Sequence, residues 1–227
     1  DRARENAEAN LKSARELFES ALDTAFKDES ISWDDTAISS LGSVVTGATP
    51  KTSDKGNLGD YLPFIKPGDF LPNGCLAYGN HGLSKKGASV SRILPAGSAL
   101  MVCIGATIGK AGFSDRPIAT NQQINAVVPK QGIRGDYLYY QMLTPKFQAD
   151  VIYGSGQATL PIINKGKWSK LTIRMPRDIT KQDVIVDKLS GVRTQIDEAT
   201  LQYKAQIADI SDLRQSLLQK AFAGELT

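Results

Sequence analysis

The sequence predicts an α+β fold in which a mixed, β-rich domain lies between two long terminal helices. The closing segment has a sustained heptad pattern, and the opening segment is also helical by composition. All 10 Pro lie between them, among short apolar runs separated by turn signals. We therefore divide the chain into an opening helix over 1–30, a central domain over 31–180 and a closing helix over 181–227.

The closing segment, residues 181–222, carries apolar and small side chains at alternating spacings of three and four. This heptad pattern predicts a helix about 60 Å long with a narrow stripe that faces a partner helix. Gly224 follows as a stop signal. The positions that we expect to pair are Ile196, Ala199, Tyr203, Gln206, Ile210, Leu213 and Leu217.

The opening segment repeats the end of the closing segment at an offset of 196 residues, because Leu17 of LFESALDTAF aligns with Leu213 of LRQSLLQKAF (213 − 17 = 196). Asn10 aligns with Gln206, and a polar residue at one seam position is a known way to fix register. The repeat indicates two helices that pack together, although two Ala- and Leu-rich helices can also resemble each other by chance. The opening positions that we expect to pair are Asn10, Ala14, Leu17 and Ala21.

The central domain contains five candidate strands, at 42–46, 61–65, 99–104, 124–128 and 171–175. One helix is expected from 137 to about 148, with Asp136 as its cap. Its aromatic residues and the two tryptophans are interpreted as core residues: Tyr137, Tyr140, Phe147, Trp33 and Trp168.

The net charge of +3 is unevenly distributed. Basic minus acidic residues give 5 − 8 = −3 over 1–30, 16 − 9 = +7 over 31–178 and 6 − 7 = −1 over 179–227. A basic body between acidic helices is typical of a nucleic-acid-binding domain held by protein-binding helices, although proteins that never contact nucleic acid can have such a charge.

Several protein classes are not favoured. The sequence has no apolar run of the ~18 residues that a membrane span needs and no signal peptide, which predicts a soluble cytoplasmic protein with no membrane partner. Because the chain begins at Asp1 within a helical pattern, we expect it to be part of a longer protein. Cys75, Cys103 and the single His81 lack zinc-site spacing, and no nucleophile or metal motif is present. We therefore expect no metal, no cofactor, reduced thiols and no catalytic residues.

Two loops of the first half are candidates for DNA contact. The turn GATPKT is followed by a polar loop, and Thr49, Lys51 and Thr52 can bond phosphates or base edges there. The alternative is an ordinary solvated turn. Lys85 and Lys86 in HGLSKKG form a second, weaker basic spot.

The block from residue 101 to 129 supplies further candidates, Thr107 and Lys110 in GATIGKAG and then Asn121, Gln122 and Gln123. The glycines allow close backbone approach, but their spacing is not that of a phosphate-binding P-loop. Asn and Gln side chains read adenine in the major groove, and they also form buried hydrogen-bond networks. Both interpretations remain open from the sequence.

The segment 154–177 predicts a strand with alternating apolar and basic faces near its end. Its basic residues can form a stripe that faces phosphates, or an ordinary solvated strand face. They are Lys165, Lys167, Lys170, Arg174 and Arg177.

Together these blocks resemble the specificity subunits of type I restriction-modification enzymes over essentially the whole chain. The most specific matches are LRQSLLQKAFAGELT, IVDKLSGVRTQID, GATIGKAGF with ATNQQINAVVP, and GATPKT. One departure is visible, since Lys181-Gln182 stands where the family commonly has Glu-Gln.

The resemblance implies that this chain is the second target-recognition domain of a longer protein, together with the conserved helices on either side of it. It also implies that these helices pack as an antiparallel coiled coil. It implies a non-catalytic chain that binds one half of a bipartite double-stranded DNA target. It also implies docking of methyltransferase (modification) subunits and a restriction subunit, and a possible homodimer through the helices. The alternatives are a fragment of a single-chain restriction/methyltransferase enzyme whose catalytic part is missing, and a purely structural coiled-coil adaptor.

Overall fold

The structure is a computed structural model that describes residues 2–51, 53–156 and 159–223. These residues form seven α-helices, namely α1 (Arg2–Phe26), α2 (Ile38–Leu41), α3 (Lys85–Ser89), α4 (Gly135–Met142), α5 (Pro145–Ser155), α6 (Lys165–Trp168) and α7 (Lys181–Phe222), and two short 3-10 helices, Lys55–Asn57 and Pro67–Asp69. They also form ten strands, namely β1 (Trp33–Ala37), β2 (Gly42–Thr46), β3 (Leu58–Ile65), β4 (Gly82–Leu83), β5 (Ile93–Leu94), β6 (Ala99–Val102), β7 (Ala111–Phe113), β8 (Ile118–Thr120), β9 (Ile124–Pro129) and β10 (Thr172–Pro176). The predicted α+β fold with long terminal helices is confirmed, and none of the described helices is long and apolar enough to cross a membrane.

The chain divides into two compact units. The helical unit comprises Asp1–Ala25 and Asp187–Thr227, and the central unit comprises Phe26–Val186. The long helix α7 begins in the central unit, so its first turn is described with that unit.

In the helical unit, α1 and α7 contact each other through Phe18, whose ring centroid lies 3.6 Å from the guanidinium carbon of Arg193. Buried and half-buried side chains recur along α1 at heptad spacing, and they include Ala7, Leu11, Ala14, Phe18, Leu22 and Ala25. Of the expected pairing positions, Ala14 and Ala21 are half-buried, whereas Asn10 and Leu17 are exposed. At two of the four expected positions the α1 seam therefore lies one residue later, on Leu11 and Phe18. Burying an aromatic ring removes more apolar surface from water than burying Asn10.

The seam of α7 is covered over only part of its length. Ile196 is buried, and Ala199, Tyr203 and Ile210 are half-buried. Gln206 is exposed, and its neighbour Ile207 takes the half-buried position. The expected pairing residues nearest the end of α7 are also exposed, with exposed fractions of 61% for Leu213 and 46% for Leu217. The difference in length explains this, since α7 has 42 residues and α1 has 25.

Three sheets form the central unit. One is the antiparallel pair β1–β10, the second has the order β2-β9-β6-β7, and the third has the order β4-β3-β8-β5 with β3 and β8 parallel. All four residues of β6 are buried, as expected for a strand that is covered on both faces. The core here includes Ile65, Phe70, Leu94, Leu100 and Ile124.

The helix predicted over 137–148 is wrong in one respect, because two helices, α4 and α5, occupy this region. Pro145 lacks a backbone N–H and begins α5, and the Thr144 side chain caps the amide of Phe147 at 3.4 Å. Asp136 lies in the first turn of α4, where Arg134 occupies the cap position. The core interpretation of the aromatic residues is confirmed for Tyr137, Tyr140, Phe147 and Trp168, which are all buried, and Trp33 is half-buried.

The first turn of α7 is fastened to the rest of the central unit by Gln182, which is 1% exposed. Its Oε1 accepts from the amide of Arg134 at 3.2 Å, and its Nε2 donates to the Gly132 carbonyl at 3.2 Å. The Arg134 guanidinium also donates to Asp183 at 2.8 Å and to Asp136 at 2.6 Å. These two carboxylates raise the pKa of Arg134 above its ordinary value, with Asp136 the larger influence.

Candidate nucleic-acid interface

Four segments that are distant in sequence meet at one side of the central unit. We call them the loop face, defined as residues 47–51, 104–110, 121–123 and 159–167. The amide of Ala48 donates to the Thr120 carbonyl at 2.9 Å, and the amide of Cys103 donates to the Gln123 carbonyl at 2.7 Å. The 159–167 segment is joined to residues 103–105 by two hydrogen bonds of 3.0 Å. The Gly105 amide donates to the Pro161 carbonyl, and the Ile163 amide donates to the Cys103 carbonyl. Main-chain hydrogen bonds thus hold the four segments together.

Glycines make two of these approaches possible. A Cβ at Gly47 would lie 2.1 Å from the Asn121 carbonyl oxygen, so only glycine lets residues 47–51 run this close to 121–123. Gly105 has a φ of +96°, a conformation that other residues rarely adopt. Both residues belong to motifs that the sequence analysis singled out, GATPKT and GATIGK.

Thr49 and Gln122 form a polar pair on the exposed side of the loop face. The Thr49 hydroxyl donates to Oε1 of Gln122 at 2.6 Å, and both residues are exposed. The structure therefore brings together two candidates that are far apart in sequence. Both side chains can accept or donate hydrogen bonds, which is the chemistry that reads base edges.

Asn121 and Gln123 are engaged inside the protein. Asn121 is buried, its Nδ2 donates to Oε1 of Gln123 at 2.9 Å, and its Oδ1 accepts from the Gln123 amide at 3.1 Å. Of the two interpretations of this run, the internal network describes Asn121, and the exposed side chain is that of Gln122.

The loop face combines exposed lysines with an absence of acidic residues in the sequence. The segments 41–53, 99–114, 117–135 and 151–177 contain no Asp or Glu. Exposed basic side chains are contributed by Lys51, Lys110, Lys165 and Lys167, and Thr107 is half-buried near them in the chain. Asn164 caps the short helix α6 by accepting from the Lys167 amide at 2.9 Å, which orders the backbone that carries two of these lysines. Such a surface attracts a polyanion.

Other candidate residues lie outside the loop face. Lys86 forms an ion pair with Asp54 at 2.6 Å, and this hydrogen bond lowers the pKa of Asp54. Lys85 lies with its Nζ 5.6 Å from the ring centroid of Tyr61. Thr52 is outside the described residues.

The expected basic stripe is divided between different elements. Lys165 and Lys167 lie in α6 rather than in a strand, and Lys170 is exposed just before β10. Arg174 is half-buried, donates to the Phe26 carbonyl at 2.8 Å and lies over the Trp33 ring. Arg177 pairs with Asp34 at 3.2 Å. A single continuous stripe is therefore not formed, because the two arginines hold β10 to its neighbours.

Sequence reasoning missed a cavity of about 440 Å³ beside Thr49. Its lining includes Lys51, Lys66, Asn80 and His81, together with the ring of Phe64. It also missed Tyr153, the most exposed aromatic side chain near the loop face, at 92%. The sequence shows a polar run directly, whereas nothing in the sequence of α5 distinguishes an exposed tyrosine from a buried one.

Residues 31–208 match the family described as the type I restriction modification DNA specificity domain. This match covers most of the chain, and the chain belongs to this family.

Two curated relatives are specificity subunits of type I restriction enzymes. The HindI specificity subunit of Haemophilus influenzae is 32% identical over 199 residues, which are 86% of this chain and 42% of that protein. The MjaIX specificity subunit of Methanocaldococcus jannaschii is 30% identical over 172 residues, which are 71% of this chain and 39% of that protein. The chain therefore spans about two-fifths of the length of these relatives.

Solved structures share the fold. A chain from work on complex assembly and conformational transition of the type I R-M system has a TM-score of 0.75 and 20% identity, and the match covers 99% of this chain and 56% of that one. The HsdS subunit from Thermoanaerobacter tengcongensis has a TM-score of 0.64 and 20% identity, with 98% of this chain and 54% of that one covered.

Proposed function

We propose that this chain is a DNA-reading module of a type I restriction-modification system, which binds one half of a bipartite duplex target. The loop face is the DNA surface, with Lys51, Lys110, Lys165 and Lys167 on phosphates. Thr49 and Gln122 contact base edges. The observation that carries this proposal is the convergence, through main-chain hydrogen bonds, of four acid-free segments that each carry an exposed lysine or a polar reader.

The helices are proposed to dock other subunits. In this proposal α1 and α7 set the position of the recognition domain and carry contacts to methyltransferase subunits, and the restriction subunit joins that assembly. The exposed end of α7, with Leu213 and Leu217, supplies apolar surface for such a contact or for a homodimer. Changing both leucines to Ala should prevent co-elution with the methyltransferase subunit while DNA binding by the isolated chain is retained.

The DNA surface is tested by salt titration of binding to a duplex that is selected from a random pool by the wild-type chain. A module that contacts about 5 to 8 phosphates should lose on the order of a hundredfold or more in affinity between low and physiological salt. The double variant Lys165→Ala/Lys167→Ala should bind every sequence more weakly, with a salt slope reduced by about two.

The control variant is Lys188→Ala/Lys204→Ala, which removes two exposed lysines of α7. It should bind like the wild type. Salt-insensitive binding, or equal weakening by both double variants, would place the DNA elsewhere.

We further propose that the chain contributes specificity and no chemistry of its own. Incubation with duplex DNA and S-adenosylmethionine should give no methyl transfer, and addition of the methyltransferase subunit should give transfer at the selected site. Methyl transfer by the purified chain alone would favour a single-chain methyltransferase instead.

A further inference from the structure

Tyr153 is an aromatic side chain with almost no cover. It lies in the last turn of α5, its exposed fraction is 92%, and the preceding Ile152 is 54% exposed. Tyrosine has a large apolar ring and a polar tip, and it is enriched where proteins bind other molecules. A ring this exposed gives little to the stability of the fold, and its whole face is accessible to a binding partner.

The backbone that carries Tyr153 is fixed next to the loop face. Gln148 of α5 donates to the Gly109 carbonyl at 2.9 Å and to the Met142 carbonyl at 2.7 Å. Gly154, which follows Tyr153, accepts from Nζ of Lys167 at 3.2 Å. A Cβ at Gly154 would lie 2.9 Å from Cδ1 of Ile163, so the chain runs closely against the 159–167 segment. Tyr153 is thus presented from an ordered position beside Lys167.

The charge around Tyr153 favours an anionic partner. Asp150, one turn before Tyr153 in α5, is paired with Lys146 at 3.0 Å. No Asp or Glu occurs from residue 151 to 177, and Lys165 and Lys167 are exposed there. An aromatic ring beside a lysine suits a nucleic acid, because the lysine holds a phosphate while the ring packs on sugars and bases. A protein partner would need acidic groups to match the lysines and an apolar pocket for the ring.

We propose that Tyr153 is a non-ionic DNA-contact residue, whose ring packs against deoxyribose and base edges while Lys165 and Lys167 hold the neighbouring phosphates. This inference rests on the proposed function and adds a contact of a different physical kind. Ring contact contributes affinity that does not depend on released counterions, whereas the lysine contribution does.

The test compares Tyr153→Ala and Tyr153→Phe with wild type by fluorescence anisotropy, using the selected duplex over a range of salt concentrations. Tyr153→Ala should weaken binding by about 10-fold at every salt concentration, with an unchanged salt slope. Tyr153→Phe should bind nearly as well as wild type, because it keeps the ring. The variants should unfold like wild type, since the side chain is exposed.

Tyr61→Ala is the matched control. Tyr61 is 58% exposed and also has a lysine beside it, Lys85, but it lies outside the loop face. Wild-type affinity of Tyr153→Ala, or an equal loss in Tyr61→Ala, would overturn the inference. If Tyr153→Ala binds normally while Lys165→Ala/Lys167→Ala binds weakly, the inference about Tyr153 is wrong and the proposed function is retained. If the wild-type chain retains no DNA even at low salt, the proposed function itself is wrong.

Discussion

The Thr49 hydroxyl donates a 2.6 Å hydrogen bond to the side-chain oxygen of Gln122, across 73 residues of sequence. Because Thr49 uses its proton on Gln122, the amide nitrogen of Gln122 is oriented away from that bond and is available as a donor. The pair therefore pre-orients a side chain that can bond a base edge. Orientation before binding lowers the entropy cost of forming the complex.

We expect Gln122→Ala to change the preference of the chain among DNA sequences, because it removes a base-edge contact rather than a phosphate contact. Thr49→Val should have a smaller effect in the same direction, since it removes the orienting bond and the contact of one hydroxyl but leaves the Gln122 amide in place. The two changes should be non-additive, with a coupling of about 0.5–1.5 kcal/mol in binding free energy. The coupling is measured by a double-mutant cycle, in which wild type, the two single variants and the double variant bind the selected duplex and single-base variants of it. Strict additivity would contradict the role of the pair.

Replacing Gln182 should destabilise the central unit. Gln182→Ala removes the buried acceptor of the Arg134 amide and the donor to Gly132, and an unsatisfied buried group costs about 1–3 kcal/mol. Denaturant unfolding measures the change in the free energy of unfolding. Gln206→Ala is the control, because Gln206 is an exposed glutamine of the same helix and its loss should cost less than about 0.5 kcal/mol.

Truncation of two adjacent residues of α1 should change the free energy of unfolding by very different amounts. Phe18 is 6% exposed and contacts Arg193, so Phe18→Ala should lower the free energy of unfolding by about 3 kcal/mol. Leu17 is 59% exposed, and Leu17→Ala should change it by less than about 0.5 kcal/mol in the monomer. A large, concentration-dependent effect of Leu17→Ala would instead show that a second molecule covers this face.

Cys103 should make stability depend on pH above about 9. Burial raises the pKa of the Cys103 thiol to about 12, against an ordinary value of 9.0. As the pH rises, the thiol therefore loses its proton in the unfolded chain before it does so in the folded chain. The contribution of Cys103 to the free energy of unfolding is complete below pH 9 and declines as the pH rises towards 12. The expected slope is about 1.4 kcal/mol per pH unit in this window.

The measurement is denaturant unfolding of wild type and Cys103→Ala between pH 8 and 11. Subtracting the two curves removes the titration of other groups that both proteins share. Cys75→Ala, which changes an exposed cysteine, should follow the wild type. Parallel curves for wild type and Cys103→Ala would show that the thiol is not the source of the slope.

Periodicity in the sequence predicts the elements of this fold well where packing repeats. The heptad spacing predicted a helix over 181–222, and α7 has these bounds. The strand at 42–46 is likewise confirmed by β2. The opening seam is predicted one residue too early at two of its four positions, because an alignment of two helices transfers a pattern without regard to which side chain is larger. The repeat indicates Asn10 and Leu17, whereas the residues that are covered in the structure are Leu11 and Phe18.

The candidate site was predictable as a set of motifs and not as a surface. Glycine motifs and polar runs indicated Thr49 and Gln122 separately, but their hydrogen bond depends on the pairing of β2 with β9. Arg174 follows the alternation of a solvated strand face, yet it is held by Phe26, which is 148 residues away. Local patterns contain no information on such partners.

The four segments of the loop face are joined largely through amides and carbonyls rather than through side chains. Bonds of this kind do not depend on residue identity, except at positions such as Gly47 where the chains almost touch. Exposed positions between the joins can accordingly be exchanged without refolding. We expect new target preferences to arise in this scaffold by a few point substitutions, so that descendants diverge in what they recognise while remaining superimposable.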